Sequence, residues 1–158
     1  MEYIESLRLK VGKDKVLIPS TAIVILNNKN EVLLHLREGS NTWGLPGGLM
    51  DLGETVSESA EREVFEETGL KVNDLNIFGV FSGPKFEVTY PDGNQTSSVA
   101  IGFFTSKYSG NITKSSESRE INFFSIMNLP ENINHAQTGF LNGFKRFLED
   151  DKRSPISS

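Results

Sequence analysis

Residues 48–70, GLMDLGETVSESAEREVFEETGL, constrain this chain more than any other stretch, because they specify a helix and then load it with acid that a solvated helix does not need. Thr55 followed by Glu58 has the form of a capping box, Val56, Ala60 and Val64 recur at helical spacing, and Gly69 suits the position just past a helix end. The pattern predicts a helix over Val56–Thr68. Between Glu54 and Glu67 stand six glutamates, one arginine and no lysine. Like charges one turn apart cost about 0.2–0.5 kcal/mol per pair, and only Arg62 is placed to offset them, toward Glu58 and Glu66. At about 100° per residue, Glu63, Glu66 and Glu67 share an arc of roughly 100° that overlaps the apolar edge. Carboxylates turned inward together repel one another and titrate upward unless a cation lies between them.

Composition narrows the choice of cation. The chain has no cysteine and two histidines, which excludes disulfides, thiolate nucleophiles and zinc ribbons and leaves oxygen as the ligand atom. Oxygen donors point to a hard divalent ion, Mg²⁺ first and Mn²⁺ next. Mg²⁺ prefers one or two carboxylates plus phosphate oxygens, so a phosphate-chain ligand is expected beside it. Gly44, Gly47 and Gly48, in Trp43-Gly-Leu-Pro-Gly-Gly, let backbone approach an ion or a phosphate closely. The plainer alternative, an acidic surface helix in a protein-interaction domain, leaves the missing lysines and these glycines unexplained.

At 158 residues and 37% hydrophobic content, residues 1–150 are expected to form one domain. Residues 151–158, charged and then Ser/Pro-rich, are expected to be disordered. No apolar run reaches the roughly 18 residues of a membrane span, and the N-terminal residues lack a signal-peptide pattern, so a cytoplasmic location is expected. The net charge of -5 argues against nucleic-acid binding but allows a small anion delivered with a metal. Strands are predicted over Tyr3–Lys10, Thr21–Leu26, Val32–Arg37, Val72–Phe81, Lys85–Tyr90, Ser97–Ser106 and Ile121–Ser125, with hairpin turns at Asn27–Asn30 and Tyr90–Gly93. A second helix is predicted over His135–Glu149, with Phe140, Leu141, Phe144 and Phe147 or Leu148 at core spacing.

Gly48, Glu54, Arg62-Glu63-Val64, Glu66-Glu67 and Gly69-Leu70 resemble the box of the Nudix hydrolase (MutT-like) family at every defined position, and the similarity extends outward through Leu45-Pro46-Gly47. The resemblance implies an α/β fold, an α/β/α sandwich around a mixed β-sheet. It also implies hydrolysis of the diphosphate linkage in a nucleoside diphosphate derivative, by water attack on phosphorus with Mg²⁺. Carried over by position, Glu63, Glu66 and Glu67 resemble the family's metal ligands, joined by the Gly47 carbonyl, and Glu63 alternatively orients or deprotonates the water. Arg62 resembles the residue that holds Glu63, and Glu54 a supporting acid. Members of the family often use one more acid from outside the box, for which Glu117 and Glu120 are candidates.

Arg37, with His35 alternating onto the same face, is a candidate phosphate contact beside Gly48, while Trp43 is expected to anchor its loop. The aromatics Phe78, Phe81, Phe86, Tyr90, Phe103 and Phe104 are expected mostly in the core. The resemblance leaves open a nucleotide sugar such as ADP-ribose and a nucleoside triphosphate, including oxidised forms. Pro84 and Phe86 stand near, without matching, marks of the ADP-ribose and diadenosine polyphosphate subgroups. A non-catalytic nucleotide sensor on the same fold is the alternative, and similar proteins often form homodimers.

Overall fold

A computed structural model describes residues 3–150 and 156–157. In chain order the elements are helix α1 (Tyr3–Val11), strands β1 (Val16–Ile25), β2 (Glu31–Arg37) and β3 (Trp43–Gly44), helix α2 (Val56–Thr68), strands β4 (Lys71–Asn73), β5 (Asn76–Phe81), β6 (Glu87–Thr89), β7 (Gln95–Thr105), β8 (Lys107–Ser109) and β9 (Ser118–Ser125), helix α3 (His135–Glu149), and strand β10 (Ile156–Ser157). A 3₁₀ turn at Pro84–Phe86 precedes β6.

Two sheets form the middle layer. In the larger, β1 runs parallel to β7, β7 pairs antiparallel with β5 and β6, and β10 lies parallel to β5. In the smaller, β2 lies between β3 and β9, antiparallel to both. Alternation along β1 and β2 sends side chains to two cores. Ala22, Val24, Val32, Leu34 and Leu36 join Phe78, Phe81, Phe140 and Phe144 under α3, whereas Ile23, Ile25 and Leu33 join Ala60, Val64 and Leu70 under α2. The chain is therefore the expected α/β/α sandwich around a mixed sheet.

Both predicted long helices have the expected limits. Thr55 accepts from the Glu58 amide and Glu58 from the Thr55 amide, closing the capping box, and Gly69 ends α2 at φ 75° with its N–H bonded to the Phe65 carbonyl. Residues 3–11 form a helix where a strand was expected. Ile4, Leu7 and Val11 also fit the helical period, and the segment forms the helix, with Leu9 79% exposed.

The predicted Val72–Phe81 strand divides at Asp74, whose φ of 50° turns the chain from the β4–β8 pair into the larger sheet. The Asn27–Asn30 turn forms, yet β1 and β2 share only the Leu26–Val32 bridge before diverging into separate sheets. The Tyr90–Gly93 turn closes the β6–β7 hairpin, with the Gly93 N–H donating to the Tyr90 carbonyl at 2.9 Å. Of the expected disordered tail, residues 151–155 and 158 lie outside the described residues.

Candidate active site

Four segments meet over the inner face of α2: the end of β2, the loop after β3, α2 itself and the loop before β9. Together they line a cleft of about 410 Å³ that includes Arg37, Gly47, Gly48, Arg62, Glu63, Glu66, Glu67 and Glu117.

Glu67 is the deepest acid, 3% exposed. Its Oε2 accepts from the Gly47 N–H at 2.8 Å, and Arg37 Nη2 stands 3.5 Å from its Oε1. Arg37 also donates to the Gly47 carbonyl at 3.3 Å. Burial raises the Glu67 carboxyl to about 7, against the opposing pull of Arg37 and the Gly47 amide. The side chain of Glu63 is 14% exposed, and burial raises its pKa as well, outweighing its hydrogen bond from Arg62. Glu66, by contrast, has a side chain 55% exposed, so the inward arc holds Glu63 and Glu67 more firmly than Glu66.

Arg62 organises the outer rim. Its Nε donates to Glu54 at 2.5 Å, Nη1 to Glu63 at 2.9 Å and Glu66 at 3.1 Å, and Nη2 to the Leu49 carbonyl at 3.1 Å and to Glu54 at 3.0 Å. One planar fork thus joins the helix to the loop that precedes it. The Arg62 hydrogen bond holds Glu54 down at about 2, so Glu54 remains ionised and Arg62 is fixed from below.

The glycine loop is shaped by what it touches. Gly47 has φ 144°, and a Cβ there would run into the Thr21 carbonyl; a Cβ on Gly48 would lie 2.6 Å from Glu63 Oε1. A side chain at 47 is excluded by the backbone of the sheet behind it, whereas one at 48 would have to displace the Glu63 carboxylate in front.

His35 and Arg37 reach Glu67 from β2, as their shared face predicted. His35 Nε2 is 3.6 Å from Glu67 Oε2, and burial, then the Arg37 charge, lowers its pKa to about 3, leaving the imidazole neutral. Its Nδ1 is 2.8 Å from Ser118 Oγ, which donates to the Glu67 carbonyl at 3.3 Å. Nε2, which faces the Glu67 carboxyl, has no hydrogen-bond partner among the described residues.

Of the two acids beyond the box, Glu117 lines the cleft; Glu120 is exposed on β9 and lines neither it nor its neighbour. Trp43 packs edge-on against Phe124 at 4.8 Å and anchors its loop. A second cavity of about 630 Å³ shares Arg37, Gly47, Gly48 and Glu117 with the cleft and continues toward α3, where Phe86, Tyr90, Asn134, Gln137 and Phe140 line it. Ser118, Asn134 and Gln137 were not singled out from sequence. Only Asn134 leaves a signal there, as the cap before a predicted helix.

Among the described residues no three acidic or histidine side chains already converge as a metal cage. The carboxylates are held instead by Arg62 and the Gly47 amide. The donor set still fits a hard divalent cation: every group is an oxygen, and two of the acids sit in surroundings that disfavour their charge when no cation neutralises it.

The profile of the NUDIX domain family matches residues 16–144, and the chain belongs to that family. It is 34% identical over 110 residues to the ADP-ribose pyrophosphatase of Methanocaldococcus jannaschii, covering 68% of this chain and 62% of that protein. It is 40% identical over 65 residues to a putative 8-oxo-dGTP diphosphatase of Bacillus subtilis, covering 41% of this chain and 44% of that one. The chain thus spans less than two thirds of these relatives. Its fold is similar to the MutT NUDIX hydrolase structure from Burkholderia pseudomallei, with a TM-score of 0.69 at 22% identity over 81% of this chain and 98% of the other.

Proposed function

We propose that the protein is a Mg²⁺-dependent hydrolase of the phosphoric anhydride bridge in a nucleoside diphosphate derivative. One observation carries this reading: Glu63, Glu66, Glu67 and Glu117 line one cleft with Arg37 and the Gly47–Gly48 backbone, and that cleft opens into a larger, aromatic-walled cavity. Acids alone would repel a phosphate chain, and a bound divalent cation supplies the charge that holds it, acidifies water and stabilises the phosphoryl oxygens.

Glu63, Glu66 and Glu67 would hold Mg²⁺, or Mn²⁺ in its place, with the Gly47 carbonyl as a further oxygen donor. Arg37, 31% exposed at its side chain, would meet a phosphate oxygen. Glu117 would take a proton from the attacking water, with Glu63 as the alternative. Attack forms one P–O bond to water and breaks the bond to the bridging oxygen, which leaves with a proton; both products carry a phosphate. Arg62 acts through the acids it positions.

ADP-ribose and a nucleoside triphosphate, including oxidised forms, are the two substrate types in view, and the named activities of the two relatives fall one in each. A panel of nucleoside diphosphate sugars and triphosphates, with Mg²⁺ and with chelator, tests the reading. Cleavage that requires the metal and yields two phosphate-bearing products is expected. Binding without turnover across the panel would favour a nucleotide sensor instead.

A further inference from the structure

The two oxygens of the Glu67 carboxyl stand in different surroundings. Oε2 accepts from the Gly47 N–H at 2.8 Å and faces His35 Nε2 at 3.6 Å, whereas Oε1 stands 3.5 Å from Arg37, a residue of the cleft wall. His35 is fully buried, and its Nε2 has no hydrogen-bond partner among the described residues. At 3.6 Å it is just beyond hydrogen-bond reach of the carboxyl. A buried polar atom without a partner is costly, so its place against an acid calls for a reason.

Ser118 decides which nitrogen of the neutral ring carries the proton. Its one hydroxyl proton serves either the Glu67 carbonyl at 3.3 Å or His35 Nδ1 at 2.8 Å. The Nδ1 contact is the shorter. When the hydroxyl donates there, the ring proton sits on Nε2, the nitrogen that faces Glu67. The opposite tautomer would set an Nε2 lone pair against the carboxylate, which is ionised whenever it binds a cation. The Leu45 backbone, which the ring also meets, likewise favours a proton on the imidazole. A carboxylate held by the Gly47 N–H alone can swing about that one bond, and a second donor on the same oxygen fixes its plane.

Resting on the metal site of the hydrolase reading, we propose that His35 is a positioning residue for Glu67: with Ser118 donating to Nδ1, the His35 Nε2–H and the Gly47 N–H together hold Oε2 and leave Oε1 as the oxygen that Glu67 offers to the cation. Partners of this kind orient a ligand without touching the metal, and their loss shows first in metal affinity.

The chain has two histidines, and the other, His135, is exposed at the start of α3, so His135→Gln leaves His35 as the only imidazole. Nitrogen NMR of that isotope-labelled variant in saturating Mg²⁺ reads the tautomer, and the Nε2–H form is expected. Calorimetric binding of Mg²⁺ without substrate reads the consequence. His35→Met fills the space without a donor and is expected to weaken binding about tenfold or more, whereas His35→Gln, which keeps an amide N–H near the place of Nε2, is expected to stay within about threefold of wild type. A purely structural role would not separate the two. An Nδ1–H tautomer, undiminished binding in His35→Met, or equal losses in both variants would overturn the assignment. Should His35→Met fail to fold in thermal unfolding, Ser118→Ala decides instead: loss of the Nε2–H form with several-fold weaker binding is expected, and no change in either overturns it. Glu67→Gln separates this role from the reading beneath it. If Glu67→Gln binds Mg²⁺ as the wild type does, the metal site and the His35 role fall together; if it loses binding and His35→Met does not, the His35 role falls alone.

Discussion

Replacing Glu67 with glutamine should make the metal-free protein more stable at neutral pH while removing its activity. The Glu67 carboxyl lies at about 7 in the fold, against 4.5 for an unperturbed glutamate. Because the folded value is raised, the folded protein holds its proton more tightly than the unfolded chain. Stability is therefore unaffected below about 4.5, falls as pH rises from there to about 7, and stays reduced above. At 1.36 kcal/mol per pH unit the ceiling is about 3 kcal/mol, and coupling to Glu63 and Glu117 spreads part of it over the group. Glutamine has the same shape and retains an oxygen for the Gly47 N–H, which leaves its –NH₂ at the Oε1 position beside Arg37. Thermal unfolding in chelator at about pH 8 should show Glu67→Gln more stable by about 1–3 kcal/mol, roughly 3–10 °C for a chain of this size, with the gap closing toward pH 4.5. Added Mg²⁺ should restore stability to the wild type and little to the variant, whose turnover should fall at least tenfold. A variant no more stable than wild type at about pH 8 would show that Arg37 keeps Glu67 ionised without metal. Near-wild-type turnover in saturating Mg²⁺ would remove Glu67 from the metal site.

Arg62→Lys should lower turnover by about tenfold or more, because a single ammonium cannot serve Glu54, Glu63, Glu66 and the Leu49 carbonyl together; kinetics within twofold of wild type would deny Arg62 its positioning role. Gly48→Ala places a methyl 2.6 Å from Glu63 Oε1 and should cost at least tenfold in kcat with little change in unfolding temperature, and an unimpaired enzyme would show that Glu63 moves freely. Glu117→Ala should reduce turnover while Glu120→Ala leaves it within twofold, since only Glu117 lines the cleft. Full activity in both variants would mean that the base comes from within the box.

What could be read in the sequence was what depends on neighbours along the chain. The limits of α2 and α3 follow from caps and periodic apolar residues, and the Tyr90–Gly93 turn from its own proline and glycine. Where two periods coexist, as in Tyr3–Val11, local pattern does not decide between them. The break at Asp74 carried a weak sign, since Asp and Asn tolerate φ near 50° better than most residues, but the destinations of β4 and β5 are what require it. The two-residue β3 is too short for any periodicity, yet it carries Gly44 against His35.

The site divides along the same line. The glutamates of α2 were evident because a charge excess is a property of composition, but the reason they face a usable surface lies in backbone contacts between distant segments. The loop after β3 runs along the free edge of β1, with the Ile23 N–H donating to the Pro46 carbonyl, Thr21 N–H to the Gly48 carbonyl and Met50 N–H to the Pro19 carbonyl. These bonds hold the loop much as a strand is held, and leave the Gly47 amide turned toward Glu67. Gly47 is thus fixed from behind by the sheet and Gly48 from in front by Glu63, so the two glycines meet different demands although the sequence writes them alike. A residue larger than glycine at 47 would disturb the loop's seat on β1; at 48 it would disturb the acid alone. That difference is why position 48 separates catalysis from folding more cleanly than position 47.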